Sequence, residues 1–244
     1  MYVISEKEER RIKMKICKLG IFSAVIALAV LIGVQTTALA TPYTALLLFD
    51  GTNTKIISDN FAGDLDPRDG IIVFSGSIGT ISPWIVNVTT SVTYPILGSQ
   101  TNPILDLNSV NVTSSGGGSL TVAASAIDYS PLVQGAIFNA GGTTSGTVSF
   151  AAWADSGNAL FGTTTLIGQL GPFSLGAFSG TVSGPTGTIP YSLTAAAFIN
   201  HGGAGSTSFD AEVVVPEPAT LILLGSGLAG LGLFGRRKLL KGKV

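Results

Sequence analysis

Phe209-Asp210-Ala211-Glu212-Val213-Val214-Val215 alternates apolar and acidic side chains with a period of two. Side chains of an extended chain point to opposite faces in turn, so Phe209, Ala211, Val213 and Val215 share one face while Asp210 and Glu212 share the other. That is the pattern of a strand with one side in a core and one in water. The same period recurs upstream in Trp84-Val86-Val88, Leu120-Val122-Ala124, Val148-Phe150-Ala152 and Tyr191-Leu193-Ala195-Ala197. Turn-forming clusters punctuate these runs: Asp50-Gly51, Gly116-Gly117-Gly118, Gly141-Gly142, Gly184-Pro185 and Gly202-Gly203. Short strands divided by such signals, with no capped helical pattern between them, predict one all-β ectodomain, a β-sandwich or jelly roll. Phe49, Phe74, Trp84, Phe138, Phe150, Trp153 and Phe198 lie on its strands and are expected to supply the bulk of a core.

The predicted domain spans residues 41–215, with no break in composition and no strict repeat. The whole chain of 244 residues carries a net charge of −1. That figure averages unlike regions. Between Thr41 and Val215 two basic residues, Lys55 and Arg68, stand against ten acidic ones, a net of −8. Two basic side chains do not neutralise a run of phosphates, which argues against nucleic acid as a partner. The single cysteine, Cys17, lies in the N-terminal segment, so the ectodomain has no disulfide framework and no thiol chemistry.

The two ends read as addresses. Lys13, Lys15 and Lys18 precede an uncharged apolar run, Leu19 to Val34, and Ala38-Leu39-Ala40 supplies a small-residue cleavage site before Thr41. This predicts a signal peptide over residues 1–40, cut by signal peptidase at Ala38 and Ala40. The charged stretch before Met14 is unlike an ordinary leader, and Met14 followed by Lys15 makes the better start. At the other end Val215-Pro216-Glu217-Pro218-Ala219-Thr220 leads into an apolar stretch closed by Arg236-Arg237-Lys238. The prolines hold the chain extended around Glu217. The uncharged run from Ala219 to Phe234 is about 24 Å long as a helix, enough to cross a locally thinned bilayer. We expect a transmembrane helix over residues 219–235. Gly225/Ala229 and Ser226/Gly230 are small-xxx-small pairs that let a second helix approach closely. The basic tail, residues 236–244 with Arg236, Arg237 and Lys238 as stop-transfer signal, stays cytoplasmic and leaves the ectodomain outside.

Residues 216–244 resemble the PEP-CTERM sorting signal of Gram-negative, polysaccharide-producing bacteria in all three of its parts. The resemblance implies that Pro216, Glu217 and Pro218 are recognised by exosortase, a membrane-embedded cysteine protease, and that the helix is discarded. It implies transient residence in the inner membrane, then the cell surface, outer membrane or extracellular matrix. The segment from Phe49 through Asp106-Leu107-Asn108-Ser109-Val110 is also similar to ectodomains found among such proteins, a likeness that adds no chemistry.

Catalytic constellations are sparse. His201, the one histidine, sits in His201-Gly202-Gly203-Ala204-Gly205, which resembles an oxyanion-hole strip of lipase type. No G-x-S-x-G elbow accompanies it and no second histidine remains as base, so the stretch reads as a glycine-rich turn with a solvated histidine. Zinc lacks ligands for the same reason. Asp64, Asp66 and Asp69, two and three residues apart and closed by Gly70, are the one candidate for Ca²⁺. Asp-Pro and Asp-Gly also make ordinary turns, and the spacing is not that of an EF-hand, so an acidic turn is the preferred reading. No other cofactor is expected. Trp84 and Trp153 are the candidate sugar-stacking side chains. Both read first as core side chains; of the two, Trp153, out of phase with Phe150 and Ala152, is the better placed to face outward. The expected role is a non-catalytic structural or adhesive one in exopolysaccharide or biofilm. The alternative is a carbohydrate-binding module on the cell surface.

Overall fold

The computed structural model describes residues 44–80, 83–131 and 134–216. The signal segment, Glu217, Pro218, the apolar run and the basic tail lie outside the described residues. Ten strands follow in chain order: β1 (Thr44–Phe49), β2 (Thr54–Ser58), β3 (Ile71–Ile78), β4 (Trp84–Val92), β5 (Ile104–Ser114), β6 (Gly118–Tyr129), β7 (Ala136–Asp155), β8 (Thr165–Gly184), β9 (Tyr191–His201) and β10 (Gly205–Val214). No helix occurs among the described residues, and the domain they form is all-β. Every pairing is antiparallel, in the order β2-β1-β6-β9-β7-β10-β5-β4-β3, with β8 paired to β7.

The organising element is β7, twenty residues long. Its first half, Ile137 to Thr144, pairs with β10, and its second half, Thr147 to Asp155, pairs with β9. Because β8 follows its other edge from end to end, β9 and β10 occupy the same edge of β7 in succession. The change of partner falls at Ser145-Gly146, where the β7–β8 register slips between Thr144 and Thr147. Strands that pass from one layer to the next by a bend or bulge make the corners of folded sheets. Here one continuous sheet folds into a first layer (β2, β1, β6, β9 and the second half of β7) and a second layer (the first half of β7, β10, β5, β4 and β3). The expected sandwich is thus present, built from one sheet rather than two. β1 and β2 lie against β3, which closes the seam opposite the fold.

Between the layers lies the core. All the in-phase positions quoted from the sequence are enclosed in it, among them Trp84, Val86, Leu120, Val122, Phe150, Leu193, Phe209 and Val213. Contacts across the layers include Trp84 of β4 on His201 of β9, with ring centroids 4.8 Å apart. Phe150 meets Phe209 edge-on at 5.2 Å.

Three expectations need correcting. Phe49 and Phe198 are not core: they are 38% and 42% exposed, because each stands one position out of phase with its buried neighbours, Leu48 and Ala197. Gly141-Gly142 is not a turn but lies inside β7. A Cβ on Gly142 would stand 2.1 Å from the Ser208 carbonyl oxygen, so what requires glycine there is the close approach of β10. His201 is not solvated but 3% exposed, being in phase with Ile199 and Ala197.

Candidate functional site

The outward face of the first layer is built by register. Ile56 stands opposite Leu47, Leu47 opposite Ala123, Ala123 opposite Ala196 and Ala196 opposite Ala151, one row across five strands. With strands about 4.8 Å apart the row is about 19 Å long. Its three alanines are 5%, 5% and 2% exposed, yet none belongs to the core cluster, so they form the sunken floor of a trough. One wall is the next row, Phe49, Thr121, Phe198 and Ser149. The other is Ala45, Ser125, Thr194 and Trp153, of which only Trp153 reaches the surface, the first three being 0%, 0% and 3% exposed. Trp153, expected first as core, faces outward instead, because it is out of phase with Phe150 and Ala152. It is half-buried and packs edge-to-face on Phe198, with centroids 6.4 Å apart and planes at 88°. The segment after β7 covers the buried part of this row: the Phe161 N–H donates to Ser125 Oγ (2.9 Å) and Ser192 Oγ donates to the Ala159 carbonyl (2.6 Å). No side chain of the three rows ionises. The phase of Trp153 signalled its outward turn, although core was the first reading. Phe198 and Phe49 were missed, although their position beside in-phase core residues was the signal.

The outward face of the second layer is its opposite. Asp106 of β5 stands directly across from Glu212 of β10, which faces Asn139 of β7 on its other side. These three, with Asn108, Gly141 and Asp210, line a groove of about 310 Å³. Burial pushes the Asp106 carboxyl up to about 6; the Asn108 amide works against that rise, and Glu212 and Asp210 add repulsion.

The acidic stretch between β2 and β3, the one calcium candidate of the sequence, is committed to its own architecture. Asp64 Oδ1 accepts the N–H groups of Asp66 and Val73, and Oδ2 accepts that of Asn60, each at 3.0 Å. Asp66 is held bidentate by Arg68, with contacts of 2.9 and 2.7 Å, and Asp69 accepts from the Asn60 amide at 2.7 Å. Asp59, which sequence spacing did not associate with this loop, joins it by accepting the Gly70 N–H. Burial raises the Asp59 pKa against that bond, with Asp64, Asp69 and Asp66 adding to the rise. Among the described residues no three His, Cys, Asp or Glu side chains are grouped to hold a metal ion, Asp64, Asp66 and Asp69 included.

Both His201 nitrogens are engaged, Nδ1 with Ser114 Oγ at 2.9 Å and Nε2 with Thr207 Oγ1 at 2.8 Å. Burial holds its pKa below the ordinary histidine value. The geometry ties β9 to β5 and β10 beneath Trp84. Of the sorting residues only Pro216 is described. It follows Val215, which is fully buried and donates its N–H to the Pro103 carbonyl at 3.0 Å. The last buried residue described thus directly precedes the Pro-Glu-Pro motif.

Residues 214–238 match the model of the PEP-CTERM protein-sorting motif, so the chain carries that motif. It marks a protein of Gram-negative bacteria that is exported, held in a membrane and then cleaved, and it implies processing by exosortase. None of the curated proteins matches the sequence. Among solved structures the chain is similar to the module TmCBM61 in complex with β-1,4-galactotriose, at 11% identity and a TM-score of 0.32, covering 57% of this chain and 92% of that one. The xylan-binding module CBM15 gives 14% identity and a TM-score of 0.29, covering 62% and 100%. The K1 cleaved adhesin domain of Lys-gingipain from Porphyromonas gingivalis W83 gives 16% and 0.26, covering 61% and 99%. Likeness at this level bears on neither ligand nor activity.

Proposed function

We propose that the ectodomain is a non-catalytic surface protein that adheres to uncharged polysaccharide through the trough of its first layer. This takes up the carbohydrate-binding alternative and makes it the means of adhesion in the extracellular matrix. One observation carries the reading: Trp153 and Phe198 form an outward aromatic pair beside a floor of alanines, in three rows that carry no ionisable side chain. Apolar faces of sugar rings stack on aromatic rings, and hydroxyls find partners in the Thr121, Ser149 and Asn200 side chains along the same face. A contiguous exposed apolar surface on a soluble domain marks a contact site. The class of polymer follows from charge. The ectodomain carries −8, and its two cations are engaged, Lys55 over the Phe74 ring and Arg68 with Asp66. An anionic polymer meets repulsion without compensation.

In the same reading residues 1–40 are removed by signal peptidase, residues 41–215 are the functional domain, and residues 216–244 deliver it and are trimmed by exosortase. The test is binding of the mature protein, recovered from its host, to the host's exopolysaccharide and to a panel of neutral and acidic glycans. We expect a neutral polymer to bind and Trp153→Ala to lose the interaction. Absence of binding across the panel, or binding indifferent to Trp153, would overturn the proposal.

A further inference from the structure

Most of the core is sealed, but one margin is open. The hydrophobic side chains that pack on it while only partly buried are Leu170, Phe173, Phe178 and Val182, and all four belong to β8. Phe173 and Phe178 stack at 5.0 Å with planes 13° apart. Among the described residues β8 pairs with β7 alone, so its other edge presents unpaired backbone donors and acceptors over twenty residues. Folded proteins blunt such edges with charge, proline, bulges or brevity. The other two edges of this sheet obey the rule: β2 has five residues including Lys55, and β3 has a register break between Ile72 and Phe74. The first part of β8 obeys it as well, with Pro172, positive φ at Gly171, Leu175 and Gly176, and breaks in register.

Its last eight residues do not. From Ala177 to Gly184 the pairing with β7 runs without a break, and there is neither proline nor charge. Phe178, Gly180, Val182 and Gly184 face inward and are half-buried, while Ala177, Ser179, Thr181 and Ser183 are exposed. The segment Gly176-Ala177-Phe178-Ser179-Gly180-Thr181-Val182-Ser183-Gly184 is close to a palindrome about Gly180. Turned antiparallel on itself it sets Phe178 against Val182, Ser179 against Thr181 and Gly180 against Gly180. A surface complementary to itself about a two-fold axis is what an isologous dimer requires. Charge agrees, since two ectodomains of −8 each meet with least repulsion along a strand that carries none.

We propose that β8 is the self-association site of this protein. Two copies pair antiparallel through residues 177–184, centred on Gly180, joining their sheets and closing the open margin of each core. The inference stands apart from the glycan reading, because residues 177–184 pair with the first half of β7, in the second layer, whereas the trough lies on the first.

The experiment uses the full chain in detergent with Cys17→Ser as background. Residues directly opposite in antiparallel strands have Cα atoms about 5 Å apart, within disulfide reach. Gly180→Cys, and separately Ser179→Cys with Thr181→Cys, are expected to cross-link into a dimer on mild oxidation. Leu175→Cys, on the same strand and 75% exposed, is expected to stay monomeric. Sedimentation equilibrium of the Cys17→Ser chain reports a dimer, which Ser179→Lys with Thr181→Lys, both on the exposed side, converts to monomer. A monomeric Cys17→Ser chain would overturn the proposal. So would a dimer that survives the lysine pair, which points to the apolar tail, or cross-linking of Leu175→Cys as efficient as that of the paired sites.

Discussion

The two layers bury their inner faces by the same rule and differ in what they turn outward. The first turns Phe49, Phe198 and the half-buried Trp153 outward over buried alanines; the second shows Asp106, Asp210 and Glu212 among asparagine amides. Both faces are filled by the out-of-phase positions of amphipathic strands, which the core does not constrain. The contrast therefore reports what each surface meets rather than what the fold needs. Like charges directly opposed across a ladder, as Asp106 and Glu212 are, cost stability. Exposed aromatics on the other face cost solubility unless something covers them.

The comparison breaks most severely where the two layers join. Gly146 sits at the switch, and a Cβ there would lie 2.2 Å from the Asn200 carbonyl oxygen and 2.6 Å from the His201 ring. Neither the backbone nor a ring bonded through both nitrogens can give way. Gly146→Val is expected to cost more than about 4 kcal/mol and to leave little folded protein, as seen by circular dichroism and recovery. A Gly146→Val protein with native melting behaviour would mean that the layers are not hinged where the register places the hinge. Next in size is ligand binding. Trp153→Ala is expected to weaken binding to a neutral polymer tenfold or more, about 1.4 kcal/mol, and Phe198→Ala nearly as much. Glu212→Gln on the opposite face is expected to leave affinity unchanged. Equal losses from both faces would erase the functional contrast between them.

How far this contrast could be read in advance depends on the residue. The period of two marks Trp84, Val86, Phe150 and Phe209 as core, and it turns Trp153 outward. Applied with equal strictness it would have exposed Phe198 and Phe49 and buried His201; side-chain type pulled those three expectations away from their phase. The fold of the sheet was not legible. Nothing in Ser145-Gly146 says that β7 changes partner there, because register is settled by tertiary pairing, and Gly141-Gly142 reads as a turn whether glycine serves rotation or close approach. Asp59 enters the acidic loop only through the Gly70 N–H, a partner eleven residues away. The Pro-Glu-Pro tail needed no fold to be recognised, since its parts are contiguous in sequence.

A smaller effect, on stability alone, sharpens the comparison from the acidic side. Asp106 titrates at about 6 in the folded protein against 3.8 as the ordinary value, so the folded state binds its proton more tightly than the unfolded state. The stabilisation from that proton is complete below the unfolded pKa and is lost as pH rises through the folded one. Thermal stability is therefore expected to fall between about pH 4 and pH 7, by about 1–2 kcal/mol after allowance for partial exposure of the group. Asp106→Asn removes the charge while keeping the shape. It is expected to raise Tm at pH 8 by a few degrees and to flatten this part of the profile. A substitution on the uncharged face, such as Ser149→Ala, is expected to leave the profile's shape as it is. If Asp106→Asn keeps the full acid gain, the proton sits elsewhere, with Asp59 next in line because burial raises it too.

The smallest expected effect is that of calcium. Asp64 spends both oxygens on three backbone N–H groups, and Asp66 is already neutralised by Arg68. A cation entering the loop would have to displace the guanidinium, or share oxygens that hold the turn closed. Millimolar calcium is therefore expected to leave Tm unchanged within error, as followed by calorimetry with and without chelator. Arg68→Ala, which frees the Asp66 carboxylate, sets the sharper condition. A calcium-dependent rise in Tm that appears only in this variant would show that the arginine occupies the place of the ion. A rise in the unaltered protein would instead mean that the loop rearranges to admit the metal, and the acidic character of the molecule would then extend beyond the Asp106 groove.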